Sequence, residues 1–277
     1  MQVLAARFRN SEGEVRLGRV LEHDLGQTVI DAGPAGPEGF VPTEDAWRHL
    51  EAAHGPAHLV SEITILHPVV PSKLLCIGLN YLAHAREANL EVPQAPLIFV
   101  KVNSALIGNG DSIVIPPQEP EPDFEAEVAV VIGTQAKNVK VDDALEYVGG
   151  VTALNDVSGR AAQFGDGQWT RGKGYDTFAP LGPYVAKSDL MDLNNVGVRC
   201  TLSGEIMQES STADLIFSIA ELVSYVSHQF TLNPGDVIAT GTPAGVGIAR
   251  TPRRLLQSGD VVEVWVEGVG TLTNPVA

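Results

Sequence analysis

The most constraining feature of the sequence is a continuous apolar run, Val128 to Ile132, preceded by two acids two positions apart, Glu125 and Glu127. In a strand, residues i and i+2 point to the same side, so both carboxylates face one place. The run itself does not alternate with polar residues, which predicts a strand buried on both faces. Acids at the mouth of a buried strand are costly unless they are paired or bind metal. The fold must therefore cover this strand and compensate its acids.

A third acid, Asp156, follows a second β-branched run at 148–154 that is predicted to lie beside the first. Three carboxylates converging at strand ends form an all-oxygen site suited to a hard divalent cation such as Mg²⁺ or Mn²⁺. The alternative is a solvated edge strand with its acids in water, which on spacing alone is the commoner arrangement.

Composition limits the class of protein. The chain has 277 residues, of which 44% are hydrophobic, enough for one large domain with a small appendage. A net charge of −16 disfavours nucleic acid and anionic membranes as partners. No apolar stretch is long enough for a membrane span and the N-terminus lacks a signal-peptide core, so we expect a soluble, cytoplasmic protein. Cys76 and Cys200 lie in apolar runs and are predicted to be reduced core residues.

The chain divides at two prolines, Pro68 and Pro71, where the composition changes. Residues 1–71 are predicted to form a small N-terminal α+β domain, with a hairpin turn at 10–13 and a helix capped by Thr43. Residues 72–277 are predicted to form the larger domain, which carries every motif discussed below.

The larger domain has the pattern of a mostly β roll or barrel, so the fold class is α+β with strands dominant. Ser203-Gly204 is predicted to close a tight hairpin. One helix is predicted over 212–229, capped by Ser211 or Thr212. Short β-rich runs follow three Gly-Asp pairs, at Gly110-Asp111, Gly235-Asp236 and Gly259-Asp260.

Other residues with chemical potential are scattered along the larger domain. His84 and Glu87 share a face if 81–90 is helical, and a carboxylate there can orient an imidazole as a base, although surface helices carry such pairs by chance. Arg160 and Gln163 follow Asp156 at helical spacing, and Arg160 has the alternative role of its salt-bridge partner. The segment 240–247 is glycine-rich but lacks the ending of a phosphate-binding loop.

Four segments resemble the catalytic domain of the fumarylacetoacetate hydrolase family, in its acylpyruvase and 2-hydroxyhepta-2,4-diene-1,7-dioate isomerase-like branch. They are DFEAEVAVVIG, VGGVTALNDVSGR, QWTRGKGYDTFAPLGP and LNPGDVIATGTPAGVG, and the resemblance extends over about residues 72 to 275. It implies a mixed β-roll or barrel catalytic domain and a homodimer.

The resemblance also implies roles for individual residues. The metal ligands would be Glu125, Glu127 and Asp156. The His84–Glu87 pair would activate water. Gln163 would help to hold the reacting oxygen. Lys173 would neutralise the carboxylates and contact the charged oxygens of the substrate. The substrate would be bound by Lys101, Ser104, Arg160 and Thr242. The chain departs from the family pattern at Val102, where proline is usual, and at Ala161 and Ala162, where an Asp is frequent.

The function implied is that of a Mg²⁺-dependent hydrolase, with Mn²⁺ or Ca²⁺ as substitutes. It would cleave a C–C bond in a small anionic 2,4-dioxo acid, such as an acylpyruvate or a sugar-derived diketo acid, to pyruvate or a substituted pyruvate and a carboxylic acid. One alternative is an oxaloacetate decarboxylase or a hydroxymuconate-type isomerase, in which the metal ion would stabilise an enolate in the same way. A second is a non-catalytic cation-binding module.

Overall fold

The structure is a computed structural model that describes residues 2–23 and 26–277. Its first part is a small group of strands with one helix. Thr43 caps this helix as predicted, by accepting a hydrogen bond from the N–H of Ala46 at 3.2 Å. The elements are β1 (Leu4–Arg9), β2 (Val15–His23), β3 (Gly26–Pro34), α1 (Glu44–Glu51), β4 (Ala57–Leu59) and β5 (Thr64–Leu66).

The rest of the chain adds most of the strands. Its first half contains β6 (Leu74–Gly78), α2 (Leu82–Glu87), β7 (Leu97–Lys101), β8 (Leu106–Ile107), β9 (Pro122–Asp123), β10 (Ala126–Ile132), β11 (Val148–Asn155), β12 (Ser158–Gly159), α3 (Arg160–Asp166), α4 (Thr170–Lys173) and β13 (Ala179–Lys187). Its second half contains β14 (Gly197–Leu202), β15 (Glu205–Ser211), α5 (Ile219–Gln229), β16 (Val237–Ala239), β17 (Val261–Val266) and β18 (Gly270–Pro275).

A twelve-stranded mixed sheet forms the body of the protein, in the order β4-β3-β2-β1-β13-β11-β10-β16-β6-β7, with β5 beside β1 and β8 beside β13. A second sheet has the order β15-β14-β17-β18. The hairpin predicted at Ser203-Gly204 joins β14 to β15, where Leu202 pairs with Glu205. The prediction of a mostly β protein is confirmed.

Strand β10 lies between β11 and β16 near the middle of the large sheet. Val128 and Val130 pack into one hydrophobic core and Ala129 and Val131 into another, so the strand is buried on both faces as predicted. Strand β11 runs antiparallel to it, with Glu127 opposite Leu154. This pairing brings the end of β11 to the beginning of β10, where the acids lie.

The N-terminal strands belong to the same sheet as the rest. Leu4 and Ala5 of β1 pair with Ala186 and Val185 of β13. The two parts of the chain thus share one sheet and its hydrophobic cores. The proposed domain division at residue 72 stays a prediction.

The helix predicted over 212–229 begins later, at Ile219. Ser218 and Glu221 form a capping box that fixes the start, since Ser218 Oγ accepts from the N–H of Glu221 and the Glu221 carboxylate accepts from the N–H of Ser218. Leu215, which the prediction placed in the helix, instead forms a bridge with Tyr81. The strand predicted after the first Gly-Asp pair is reduced to a bridge at Ile113.

Both cysteines, Cys76 and Cys200, are buried free thiols, as predicted. Among the described residues, no helix combines the length and apolarity required to cross a membrane.

Candidate active site

Three acidic side chains meet where β11 ends and β10 begins. One carboxylate oxygen from each of Glu125, Glu127 and Asp156 lies within 4.8 Å of the other two. The backbone joins the two strand ends, because the N–H of Asp156 donates to the carbonyl of Glu125 at 2.8 Å. The side-chain oxygen of Asn155 accepts from the N–H of Glu125 at 3.1 Å. The structure therefore brings together the three acids predicted to bind metal.

Three buried cations contact these acids. Lys173 Nζ donates to Glu125 Oε2 and to Asp156 Oδ2, in both cases at 2.7 Å. Lys101 Nζ donates to Asp156 Oδ1 at 2.6 Å. Arg160 Nη2 lies 2.7 Å from Glu125 Oε1. Each acid so paired keeps lone pairs on its oxygens for a further partner.

The environment separates the pKa values of Glu127, on β10, and Glu125, directly before it. Burial alone would raise the pKa of Glu125, but the charges of Lys173 and Arg160 outweigh it and hold this pKa well below its usual range. Burial raises the pKa of Glu127 well above its ordinary value, and the neighbouring carboxylates raise it further. The N–H of Gly241 donates to Glu127 Oε2 at 2.9 Å and offsets only part of this effect. Glu127 therefore takes up a proton more readily than Glu125.

We call the three acids, together with the buried charged residues that are joined to them by ion pairs directly or through Arg160, the acid–base cluster. It contains four acids and three bases, namely Asp123, Glu125, Glu127, Asp156, Lys101, Arg160 and Lys173. With Glu127 protonated, the acids and bases balance. A divalent cation that displaced this proton would leave one net positive charge, which favours an anionic ligand. The all-oxygen donor set fits a hard cation such as Mg²⁺.

A cavity of about 430 Å³ opens onto the cluster. Its outer wall is apolar and includes Leu79, Leu90, Leu97, Phe164 and Ile248. Its inner wall is polar and includes Glu125, Glu127, Arg160, Gln163, Lys173 and Thr242. The cavity thus combines a charged floor with an apolar entrance.

His84 and Glu87 lie on α2 and line the same cavity. His84 Nδ1 and Glu87 Oε1 are 2.7 Å apart, and Glu87 Oε2 accepts from the N–H of Gly245 at 2.9 Å. An ionised carboxylate can only accept, so the ring hydrogen is assigned to Nδ1, which leaves Nε2 able to accept a proton. The predicted pair is therefore assembled with the geometry of an oriented base, and its catalytic role stays a prediction.

The loop that supports Glu87 requires a glycine at Gly245. Its φ is +106°, and a Cβ there would lie 2.1 Å from the carbonyl oxygen of Met207. A side chain would displace the N–H that holds Glu87 in place.

Helix α3 brings Arg160 and Gln163 to the inner wall. Arg160 Nε and Nη2 donate to Asp123 Oδ2 at 3.0 and 2.8 Å, so the arginine pairs with Asp123 and Glu125 and not with Asp156. Arg160 Nη1 donates to Gln163 Oε1 at 3.0 Å. Because the amide oxygen of Gln163 faces the arginine, the NH₂ group of Gln163 is left to donate into the cavity.

Three residues implied in substrate binding make other contacts or lie outside the cavity, and their role in binding stays a prediction. Lys101 has a fully buried side chain that holds Asp156 and the carbonyl of Val157, so it supports a candidate metal ligand. Ser104 is exposed, in the single turn Asn103–Ala105, and does not line the cavity. Thr242 does line it, but its hydroxyl already donates to the carbonyl of Ala126 at 2.9 Å. That hydroxyl has no second proton for a substrate carboxylate.

Two buried acids near the site were missed in the sequence. Asp123 is fully buried and accepts from Arg160 and from the N–H groups of Gly247 and Ile248, at 2.8 and 3.1 Å. Its position two residues before Glu125 is a pattern that could have indicated it. Glu119, which contacts the start of α3, has no comparable pattern.

Comparison with known proteins identifies the family to which the chain belongs. Residues 73–277 match the family described as fumarylacetoacetate (FAA) hydrolase C-terminal. The chain belongs to the fumarylacetoacetate hydrolase family. The resemblance seen in the sequence motifs is thereby confirmed.

Relatives of this family member have names that describe different reactions. Oxaloacetate tautomerase Fahd2a, mitochondrial, from Rattus norvegicus is 41% identical over 269 residues, which cover 92% of this chain and 86% of the relative. The 5-carboxymethyl-2-hydroxymuconate delta-isomerase of Mycobacterium smegmatis has a TM-score of 0.83 at 35% identity, with 100% of this chain and 99% of that chain covered. The 2-hydroxyhepta-2,4-diene-1,7-dioate isomerase of Mycobacterium marinum has a TM-score of 0.82 at 32% identity, with 99% and 98% covered. The predicted fold class is confirmed.

Proposed function

We propose that this protein is a divalent-cation-dependent enzyme that interconverts the enol and keto forms of small 2-oxo dicarboxylic acids, of which oxaloacetate is the simplest. The observation that carries the proposal is the His84–Glu87 pair, which shares one cavity with the acid–base cluster. Tautomerisation and isomerisation, the reactions in the names of the relatives, both require a base beside an activated 2-oxo group. This proposal places the tautomerase reaction ahead of the hydrolysis expected from the sequence.

The inner wall supplies the groups that would bind a 2-oxo acid. A divalent cation held by Glu125, Glu127 and Asp156 would supply positive charge that draws electrons from the 2-oxo group and acidifies the hydrogen on C3. The ammonium group of Lys173 lies beside two of these acids and adds positive charge next to the anionic substrate. The amide NH₂ of Gln163, whose oxygen is taken by Arg160, would donate to the C2 oxygen of the bound acid.

His84 would move the proton. In the direction of the enol, Nε2 takes a proton from C3, the C–H electron pair becomes the C2=C3 bond, and the C2 oxygen gains a proton from solvent. In the direction of the keto form, the imidazolium returns a proton to C3 while the enol hydroxyl loses its proton to solvent. Glu87 holds Nδ1 and stabilises the imidazolium while it exists.

The test is the rate of oxaloacetate enol–keto conversion, followed by the ultraviolet absorbance of the enol in the presence of Mg²⁺. General-base catalysis contributes about 10² to 10⁴-fold, so His84→Ala should lower the rate by a factor in that range. Glu87→Gln should lower it less, because it keeps the shape and one accepting oxygen while it loses the charge and the second acceptor. His49→Ala, which alters a histidine outside the cavity, is the matched control. A His84→Ala rate equal to wild type would refute the proposal.

Hydrolysis of acylpyruvates is a second candidate, favoured by the apolar outer wall, which suits an acyl chain. Here His84 would take a proton from water as that water attacks the C4 carbonyl. The C3–C4 bond then breaks, and C3 gains a proton to give pyruvate and a carboxylic acid. A panel of acylpyruvates and oxaloacetate separates the candidates. His84→Ala should lower hydrolysis by about 10² to 10⁴-fold and leave any oxaloacetate decarboxylation nearly intact, because loss of CO₂ needs no nucleophile.

We also propose a homodimer that acts on a small anionic substrate. Light scattering after gel filtration tests the dimer, and a monomer at micromolar concentration would contradict it. The rat relative is named as mitochondrial, so the cytoplasmic location expected from the sequence stays a prediction.

A further inference from the structure

Helix α3 carries Arg160 and Gln163 to the inner wall, yet it begins after a residue that cannot cap it. The first backbone N–H groups of a helix have no partner within the helix and are usually bound by an N-cap side chain. The N-cap of α3 is Gly159, which has no side chain. The N–H groups of the first turn therefore need partners from elsewhere in the chain.

The loop before β9 provides them. The Glu119 carboxylate accepts from the N–H of Ala161 at 3.2 Å through Oε1 and from the N–H of Ala162 at 3.1 Å through Oε2. The carbonyl of Glu121 accepts from the N–H of Arg160 at 2.9 Å. The Glu119 residue is only 2% exposed, and its Oε1 also accepts from the N–H of Glu121 at 3.0 Å. One buried carboxylate thus does the work of an N-cap from a distant part of the sequence.

The contact between this carboxylate and the helix is tight. A Cβ at Gly159 would lie 2.5 Å from Glu119 Oε2. Gly172 also lies close to α3, since a Cβ there would lie 2.7 Å from the backbone nitrogen of Gln163. Both contacts leave no room for a side chain, so the first turn of α3 is closely packed against Glu119 and Gly172.

We propose that Glu119 is a positioning residue that sets α3 so that the Gln163 amide meets the oxygen of a bound 2-oxo acid. This inference rests on the proposed function, because it requires an oxygen-bearing anion on the inner wall. A displacement of about 1 Å at a group that contacts substrate can cost up to about 10²-fold in rate, so a cap that fixes α3 has a kinetic effect as well as a structural one.

The test uses oxalate as the probe, because its two carboxylates present the same oxygens as the C1 carboxylate and C2 enolate oxygen of a 2-oxo acid. In Glu119→Gln, one carboxylate oxygen becomes an NH₂ group that faces a backbone N–H and cannot accept from it. We expect oxalate binding in the presence of Mg²⁺ to weaken about 10-fold by calorimetry. The affinity for Mg²⁺ alone should change less than about 2-fold, because the three carboxylate ligands lie outside α3.

Glu121→Gln is the matched control, since it makes the same substitution two residues away on a side chain that pairs with Arg253 at the surface. Its backbone carbonyl, which holds Arg160, is unchanged. A double-mutant cycle distinguishes positioning from simple stabilisation. If Glu119 acts through Gln163, then Glu119→Gln should cause no further loss of oxalate affinity in a Gln163→Ala background.

Each outcome has a defined meaning. If wild-type protein does not bind oxalate with Mg²⁺, the proposed function fails and this inference fails with it. If wild type binds normally and Glu119→Gln binds equally well, or if the two substitutions weaken binding additively, the positioning role alone is overturned. Should Glu119→Gln not fold, Glu119→Asp, which is one methylene shorter, is measured against the same criteria.

Discussion

The substitution Glu127→Gln tests the electrostatics of the acid–base cluster most directly. Glu127 is 1% exposed, and burial with the neighbouring carboxylates raises its pKa well above the ordinary value. In the pH window between the pKa of Glu127 in the unfolded chain and its raised pKa in the folded chain, the folded chain holds a proton that the unfolded chain has released. For such a group, the stabilisation is complete below the unfolded pKa and is lost as the pH rises through the folded pKa. Within this window one proton corresponds to about 1.4 kcal/mol per pH unit.

Glutamine has the shape of the protonated acid at every pH and does not titrate. Between pH 5.5 and 6.5, metal-free wild-type protein should therefore lose up to about 1.4 kcal/mol more stability than Glu127→Gln. This corresponds to about 2 to 4 °C in melting temperature for a chain of this size class. The measurement is a denaturant or thermal melt in a chelator at both pH values. Glu209→Gln, which alters an exposed acid paired with Arg199, should behave as wild type.

The same variant removes one of the three carboxylates that we propose as metal ligands. Loss of a residue that merely supports a metal ligand costs 10- to 100-fold in affinity, so loss of Glu127 should weaken Mg²⁺ binding by about 100-fold or more. Calorimetric titration with MgCl₂ measures this. An unchanged Mg²⁺ affinity would show that the cation binds elsewhere. Equal pH slopes in wild type and Glu127→Gln would show that another group holds the proton.

Three further results are expected. Mg²⁺ binding to wild type should tighten as the pH rises and should release a proton, seen as a buffer-dependent calorimetric enthalpy that is absent in Glu127→Gln. Lys101→Met leaves Asp156 with one fewer buried partner and should lower stability by about 3 to 5 kcal/mol in urea melts, whereas a role confined to substrate binding would leave stability unchanged. Gly245→Ala should lower catalytic activity sharply because its Cβ meets a carbonyl, while Gly13→Ala, at a similar positive φ in open space, should not, and equal activities would contradict this reading of the loop.

The centre of the fold could be predicted because its pattern is local. An unbroken apolar run predicts burial on both faces wherever it lies, and acids at alternate positions predict convergence on one side. The start of α5 could have been predicted correctly from Ser218 and Glu221, which have the spacing of a capping box. The apolar residues Leu215 and Ile216 continued the helical period by coincidence and extended the prediction too far.

Residues that depend on distant partners could not be placed from the sequence. Whether Lys101 points into the cavity or behind it depends on the pairing of β7 with β6, where Lys101 lies opposite Leu74. Glu119 binds a helix 42 residues away in the chain, and no periodicity connects the two. Contacts of this kind are fixed by tertiary packing and cannot be recognised from the spacing of residues in the sequence.

The balance of charge in the acid–base cluster has a consequence for how the protein is made. In a zinc finger the ligands order only when metal arrives, so synthesis and metal supply must coincide. In this protein the bases would compensate the acids once Glu127 holds a proton, so we expect a newly synthesised chain to fold in the absence of any divalent ion. The cell would then hold a store of complete but idle protein. A rise in the concentration of free cation would then fill the sites of this folded protein at the rate of diffusional encounter, without new protein synthesis.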